Sequence, residues 1–183
     1  MLGYSEAFLD SKPYKEIYDG KLHRKVSPKT AHSLVQGKLM RLIDDWGSER
    51  GPVGPEWRFR LDEGTTLVPD VAFIAQERFD GLEGEDREMP PFAPDLAIEV
   101  RSPRDRKANV ARKTELYLMR GATVVLNVDP KRRTILMSTR DGERTYVEGD
   151  VLAHAAFPGL SIRVSDVFAP LDRLKKGTPS RGS

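Results

Sequence analysis

The sequence predicts an α/β fold of the α+β kind: a mixed β-sheet flanked by helices, with an antiparallel extension. Three observations carry that expectation. Residues 95–100, DLAIEV, form a short and nearly continuous apolar run, as a strand covered on both faces requires. Asp105 to Arg120 has helical spacing of its apolar positions. Thr123 to Val128 is then strongly β in composition. Strand, helix and strand in succession read as a βαβ crossover joining parallel strands.

The remaining elements follow in chain order. Ser27-Pro28 supplies a preferred N-cap and a proline suited to the first helical position. Leu34, Val35, Leu39, Leu42, Ile43 and Trp46 recur behind it at helical spacing, and Gly47 ends the helix. Trp57, Phe59 and Leu61 alternate with charged residues, Asp62-Glu63-Gly64 turns the chain, and Leu67 to Ala75 returns it. That predicts a β-hairpin with Asp70 in its second arm. Residues 76–94 make a long acidic connection, of a length that marks a functional or disordered segment. In the helix from Asp105, Val110, Leu116 and Tyr117 take the inward positions, Met119 is a further candidate, and Gly121 is the stop. Asp129-Pro130-Lys131 leads into a strand over Arg133 to Thr139, which Asp141-Gly142 turns again. Pro158-Gly159-Leu160 to Leu171 reads as a last strand and a short closing helix.

Composition narrows the function. A chain of 183 residues can bury a real core as one domain. Lys+Arg 30 against Asp+Glu 28 gives a net charge of +2, so any nucleic-acid contact must come from a local patch. The apolar runs are too short to span a bilayer, and mean hydropathy is -0.51. The first residues, MLGYSEAFLDSKPYK, lack a basic segment followed by an apolar one, so no signal peptide is expected and a cytoplasmic location is the default. With Cys 0, disulfides, thiolate zinc sites and cysteine nucleophiles drop out together. The last residues, LKKGTPSRGS, are basic, contain Gly, Ser and Pro and lack apolar periodicity, so a disordered tail is expected, either an inert solubilising end or a contact for phosphates.

The chemistry concentrates between Pro69 and Tyr117. Asp70 opens one apolar run, Glu99 lies near the end of another, and Lys113 follows on the next helix. Magnesium takes oxygen ligands and keeps several waters, so one or two carboxylates suffice to hold it. Asp70 and Glu99 are the candidate ligands, with the Val100 carbonyl a third. A bound cation polarises a phosphoryl oxygen, and a nearby lysine neutralises charge that develops there. Arg101, two residues after Glu99, shares its strand face. Tyr117 lies one turn beyond Lys113. Each residue also has a plainer reading. Asp70 suits a strand start, Lys113 a solvated helix face, Tyr117 the core, and Arg101 a structural ion pair with Glu99. Glu99 is the hardest to set aside, because a carboxylate inside an apolar strand needs a partner.

PDVAFIA, DLAIEVRSPRDR and KTELYLMRGATVVLNVDPKRR, taken in that order, resemble the Uma2 family (DUF820-type), which has the PD-(D/E)XK restriction-endonuclease-like fold. The resemblance extends upstream to Tyr18-Asp19-Gly20-Lys21-Leu22 and the helix of His32, and downstream to Phe157-Pro158-Gly159-Leu160. It implies a single restriction-endonuclease-like domain over 1–172, leaving 173–183 as the basic tail that composition reads as disordered. It also implies a Mg²⁺-dependent DNA-cleavage site on Asp70, Glu99 and Lys113, with Mn²⁺ a substitute. This chain departs from the superfamily motif at Arg101, where the motif has lysine. Lys113 resembles a migrated replacement, and Arg101 an electrostatic assistant, since a guanidinium exchanges protons poorly. Homodimerisation is expected by analogy, because cutting both strands of a duplex favours two sites.

Other residues enter as weaker candidates. Glu16, expected in a first helix or turn, is a surface residue or an additional acidic ligand. His32 faces either the cleft or solvent. His23 and His154 lack metal-ligand spacing to each other and to His32. Lys29, Lys38 and Arg41 are candidate phosphate contacts on the first long helix, and Ser102-Pro103-Arg104-Asp105 the loop and cap of the helix bearing Lys113. Two further functions fit the same residues. One is a non-catalytic nucleic-acid-binding or assembly module that retains the nuclease fold. The other is a glycosidase built on a carboxylate pair, which leaves Lys113 unused and has few aromatics for a sugar platform.

Overall fold

The computed structural model describes residues 8, 11–25, 29–103 and 105–175. Strands β1, Lys15–Tyr18, and β2, Lys21–Arg24, form a hairpin. Asp19 and Gly20 make its turn, both with positive φ, the backbone that Asp-Gly favours between two strands. Helix α1, Thr30–Gly47, comes next, with β3 at Val53–Pro55, β4 at Phe59–Asp62, β5 at Thr65–Leu67 and β6 at Val71–Phe73. Short helices α2, Gln76–Asp80, and α3, Glu85–Glu88, precede β7, Leu96–Val100. Helix α4, Lys107–Met119, crosses to β8, Val124–Asp129. Strands β9, Thr134–Thr139, and β10, Gly142–Val147, extend the sheet. The pair β11, Val151–Leu152, and β12, Ile162–Arg163, leads to α5, Val164–Phe168, and α6, Asp172–Lys175.

The main sheet has the order β10-β9-β8-β7-β6-β3, and a smaller sheet the order β2-β1-β5-β4. In the main sheet only β7 and β8 run parallel, with α4 as their crossover; its other pairs are antiparallel. The continuous apolar run of β7 follows from its two covered faces. Leu96, Ile98 and Val100 join Val71, Phe73, Val124, Leu126 and Val128 in a core with Val35, Leu39 and Ile43 of α1. On the other face Ala97 joins Ala72 and Val125 against Leu116 and Tyr117 of α4 and Phe59, Leu61 and Leu67 of the small sheet. Strand alternation puts Glu99 on this second face with Ala97, and opposite Asn127 of β8. The small alanines on this face belong to the same apolar cluster as Leu116 and Tyr117, and α4 packs on the neighbouring strand β8.

Several expectations need correction. The predicted return strand is two strands: β5 pairs with β4 in the small sheet, and β6 with β7 and β3 in the main one. Asp70 therefore sits between sheets rather than in a hairpin arm. Glu16 lies on β1, not on a helix or turn. The 76–94 connection carries two short helices, and the helix expected from Asp105 to Arg120 spans Lys107–Met119. Met119 is 63% exposed, so it does not face the core. Ser27 and Pro28 lie outside the described residues, and α1 begins after Lys29 without a side-chain cap. Of the expected tail over 173–183, residues 173–175 belong to α6 and the rest lies outside the described residues. Among the described residues no helix is long and apolar enough to cross a membrane.

Candidate functional site

Asp70 occupies the bend where the chain passes from one sheet to the other. Its backbone is pinned on two sides: its N–H donates to Ile98 O at 2.9 Å, and its carbonyl accepts from Gln36 Nε2 at 3.0 Å. The side chain is 2% exposed. Oδ2 accepts the Val100 N–H at 2.7 Å, while Oδ1 receives Lys25 Nζ at 2.7 Å. His32 Nε2, from α1, stands 3.6 Å from Oδ1. Burial alone would raise the pKa of Asp70, but Lys25 and His32 outweigh it and hold the carboxyl well below its usual range.

Glu99 stands beside Asp70, one residue before the Val100 amide that binds it. Its Oε1 accepts from Lys113 Nζ at 2.6 Å and from the Tyr117 hydroxyl at 2.8 Å. Its other oxygen has no partner among the described residues. Burial, the largest influence, pushes the pKa of Glu99 up against the pull of Lys113 and Lys25. Lys113 and Tyr117 are four residues apart on α4, which brings both over the same strand carboxylate. Lys113 also reaches Glu16 Oε1 at 2.7 Å, and that oxygen accepts the Val68 N–H at 2.9 Å. Burial works against the charge on Lys113, but Glu16 and Glu99 prevail and raise its pKa. It is a fixed cation at neutral pH, not a base.

A cleft of about 550 Å³ opens over these groups. One wall is the β1–β2 face bearing Glu16, Tyr18, Lys21 and His23; the other is formed by residues 99–102 and the start of α4. His23 stacks flat on Tyr18, with centroids 3.7 Å apart. Burial and then Glu16 push the Tyr18 hydroxyl up to about 12. Asn127, opposite Glu99, donates to Thr114 Oγ1 at 2.8 Å, and Thr114 donates to Val110 O at 3.0 Å, tying α4 to β8 beside Lys113.

The candidates separate accordingly. Asp70, Glu99, Val100, Lys113 and Tyr117 meet at one place, and His32 and Glu16 join them. Arg101 lines the cleft but turns to Asp129, with Nη1 3.4 Å from Oδ2. The ion pair with Glu99 is therefore not formed, and Lys113 holds that place. Lys29 and Arg41 are exposed and Lys38 half-buried, all away from the cleft. Asp105 accepts the Ser102 N–H at 2.6 Å instead of capping α4, and Arg104 lies outside the described residues. Lys25 escaped the sequence reading, although Asp19-Gly20 marks a hairpin whose alternation puts Glu16, His23 and Lys25 on one face.

The donor set bears on metal binding. Among the described residues no group of three or more His, Asp or Glu side chains is arranged to hold a metal ion. Two carboxylates and a carbonyl are nonetheless a sufficient protein share for a magnesium ion that keeps its waters. In a strand the N–H and C=O of one residue face the same edge, so the Val100 carbonyl points to the side where its amide meets Asp70. With the unpartnered oxygen of Glu99, these hard donors fit such an ion.

The Uma2 family profile, described as "Putative restriction endonuclease", matches residues 5–165, most of the chain and every element of this site. The chain belongs to the Uma2 family. Its fold is similar to the crystal structure of a "putative nuclease belonging to DUF820" from Anabaena variabilis. The two share 22% identity over 88% of this chain and 93% of that one, with a TM-score of 0.78. No curated protein matches the sequence. The Uma2 chain described here thus has the mixed-sheet nuclease fold, with the sheet switch at Asp70 and the end of β7 forming the cleft floor.

Proposed function

We propose that this Uma2 protein is a Mg²⁺-dependent endonuclease that hydrolyses phosphodiester bonds in DNA, acting in the cytoplasm as a homodimer. The observation that supports this reading best is the convergence of Asp70, Glu99, the Val100 carbonyl and Lys113 in one cleft. Asp70, Glu99 and Val100 would hold the cation, and Mn²⁺ would substitute for it. When bound, the cation would polarise a phosphoryl oxygen and stabilise the leaving oxyanion. Lys113, kept charged, supplies a fixed positive group where negative charge develops on the phosphoryl oxygens. Tyr117 orients Glu99 from the same helix. Lys21 and Arg24 on one wall, and Arg101 and Arg106 on the other, place positive charge where a phosphate backbone would run. The two-site requirement of duplex cleavage is the argument for a dimer.

One observation favours a second reading, a binding or assembly module that keeps the fold. Each of the two carboxylates is already held by a lysine, Asp70 by Lys25 and Glu99 by Lys113. Crystals soaked in Mn²⁺ separate the two. The nuclease reading expects an anomalous peak between Asp70 and Glu99 within reach of the Val100 carbonyl. Both lysine pairs closed and no peak would favour the module.

A further inference from the structure

Lys113 bridges two carboxylates that differ in freedom. Glu16 is 4% exposed, lies on a paired strand, and has its contact oxygen fixed by the Val68 N–H. Glu99 has an oxygen with no partner among the described residues, and its carboxylate lines the same cleft as Asp70. Both carboxylates hold Lys113 at nearly the same distance, 2.7 and 2.6 Å. If Glu99 were its sole anchor, a turn of that carboxylate toward a cation would leave the lysine without a carboxylate. With Glu16 present, the ammonium keeps a carboxylate partner when Glu99 turns away.

We propose that Glu16 is a positioning residue: it anchors Lys113 in the cleft while Glu99 serves a divalent cation. The inference rests on the metal reading above. It separates Glu16 from the ligand set, in which an acidic residue at this place would otherwise be counted. The electrostatics are consistent with it. Asp70, Glu99 and Glu16 face Lys25 and Lys113, with His32 beside Asp70, so each lysine has a carboxylate and Lys113 has two. Glu16→Gln removes one negative charge and leaves Lys113 to the Glu99 carboxylate alone. The glutamine carbonyl can still accept the Val68 N–H.

Magnesium titration of the full chain, followed by calorimetry and by ¹⁵N NMR of the lysine side-chain ammonium groups, tests this. In the wild type, Mg²⁺ binds and the Lys113 signal persists at saturation, protected from solvent exchange by Glu16. In Glu16→Gln, Mg²⁺ binds about tenfold more weakly, in the range expected when a group behind a ligand is lost, and the Lys113 signal broadens away at saturation. A wild-type signal that disappears on Mg²⁺ binding would mean that Glu16 itself turns to the metal. That overturns this proposal and leaves the metal reading intact, and it needs no variant to fold. Unchanged affinity in Glu16→Gln overturns the proposal in the same way. No heat and no shift with wild type would overturn the metal reading and this inference together.

Discussion

The Tyr117 hydroxyl and the Lys113 ammonium bind the same oxygen of Glu99, at 2.8 and 2.6 Å. Two donors one helical turn apart thus clamp a strand carboxylate from above, and the rest of the site is arranged around that clamp.

Tyr117→Phe keeps the ring in its core position and removes one hydrogen bond to a charged group. The expected cost is about 1.5–3 kcal/mol in metal-free buffer at neutral pH. Urea unfolding reads it as a lower midpoint with unchanged slope. An unshifted midpoint would mean that the hydroxyl contributes nothing to holding Glu99.

Lys113→Met leaves Glu16 and Glu99 facing each other without a cation. Breaking such a buried arrangement costs about 3–5 kcal/mol near neutral pH. The pH dependence has a definite sign. Two carboxylates left together take raised pKa values in the folded state, so the folded variant binds protons that the unfolded chain has released. Its stability then rises as pH falls through those values toward 4.5, the ordinary value for glutamate. The gap to wild type narrows between about pH 7 and pH 5 in urea titrations. A constant gap contradicts the pairing.

Asp70→Asn shows the opposite behaviour. The folded pKa of Asp70 is depressed, so its contribution is present above the ordinary value of 3.8 and is lost as pH falls below it. At neutral pH the variant leaves Lys25 buried with only the Val68 carbonyl, 2.7 Å away, among its present partners, at a cost of about 3–5 kcal/mol. Isothermal unfolding followed into acid should show that cost shrinking below about pH 4. A cost that grows on acidification would refute the assignment of Asp70 as the ionised partner.

Thr114→Val deletes the acceptor for Asn127 and leaves a buried amide unpaired, which costs about 1–3 kcal/mol. Thr114→Ser restores the acceptor and should recover most of that loss by thermal or urea unfolding. Equal losses in both variants would point to the methyl group rather than the hydrogen bond.

Much of this site is legible in the sequence where the signal is local. DLAIEV announces a strand covered on both faces, and a glutamate inside it calls for a partner. Lys113 and Tyr117 share a helix face by spacing alone. Leu67 to Ala75 reads as one strand, which puts Asp70 in a hairpin arm; the break at Asp70 arises because β5 and β6 pair in different sheets. Lys25 and Glu16 look like solvated charges in the hairpin sequence KEIYDGKLHRK. Lys25 pairs with Val68 and Asp70, and Glu16 with Val68 and Lys113, partners that lie more than forty residues further along the chain and that no local pattern records. Arg101 follows the last residue of β7 and lines the same cleft as Glu99, yet turns to Asp129 at the end of β8.

Cleavage of supercoiled DNA by wild type and Glu99→Gln, each with Mg²⁺ and with EDTA, tests the central claim most directly. The site described here predicts cutting by wild type with Mg²⁺ only, and none by a folded Glu99→Gln. Equal cutting by the two proteins, or no cutting by wild type with Mg²⁺ or Mn²⁺, would contradict it.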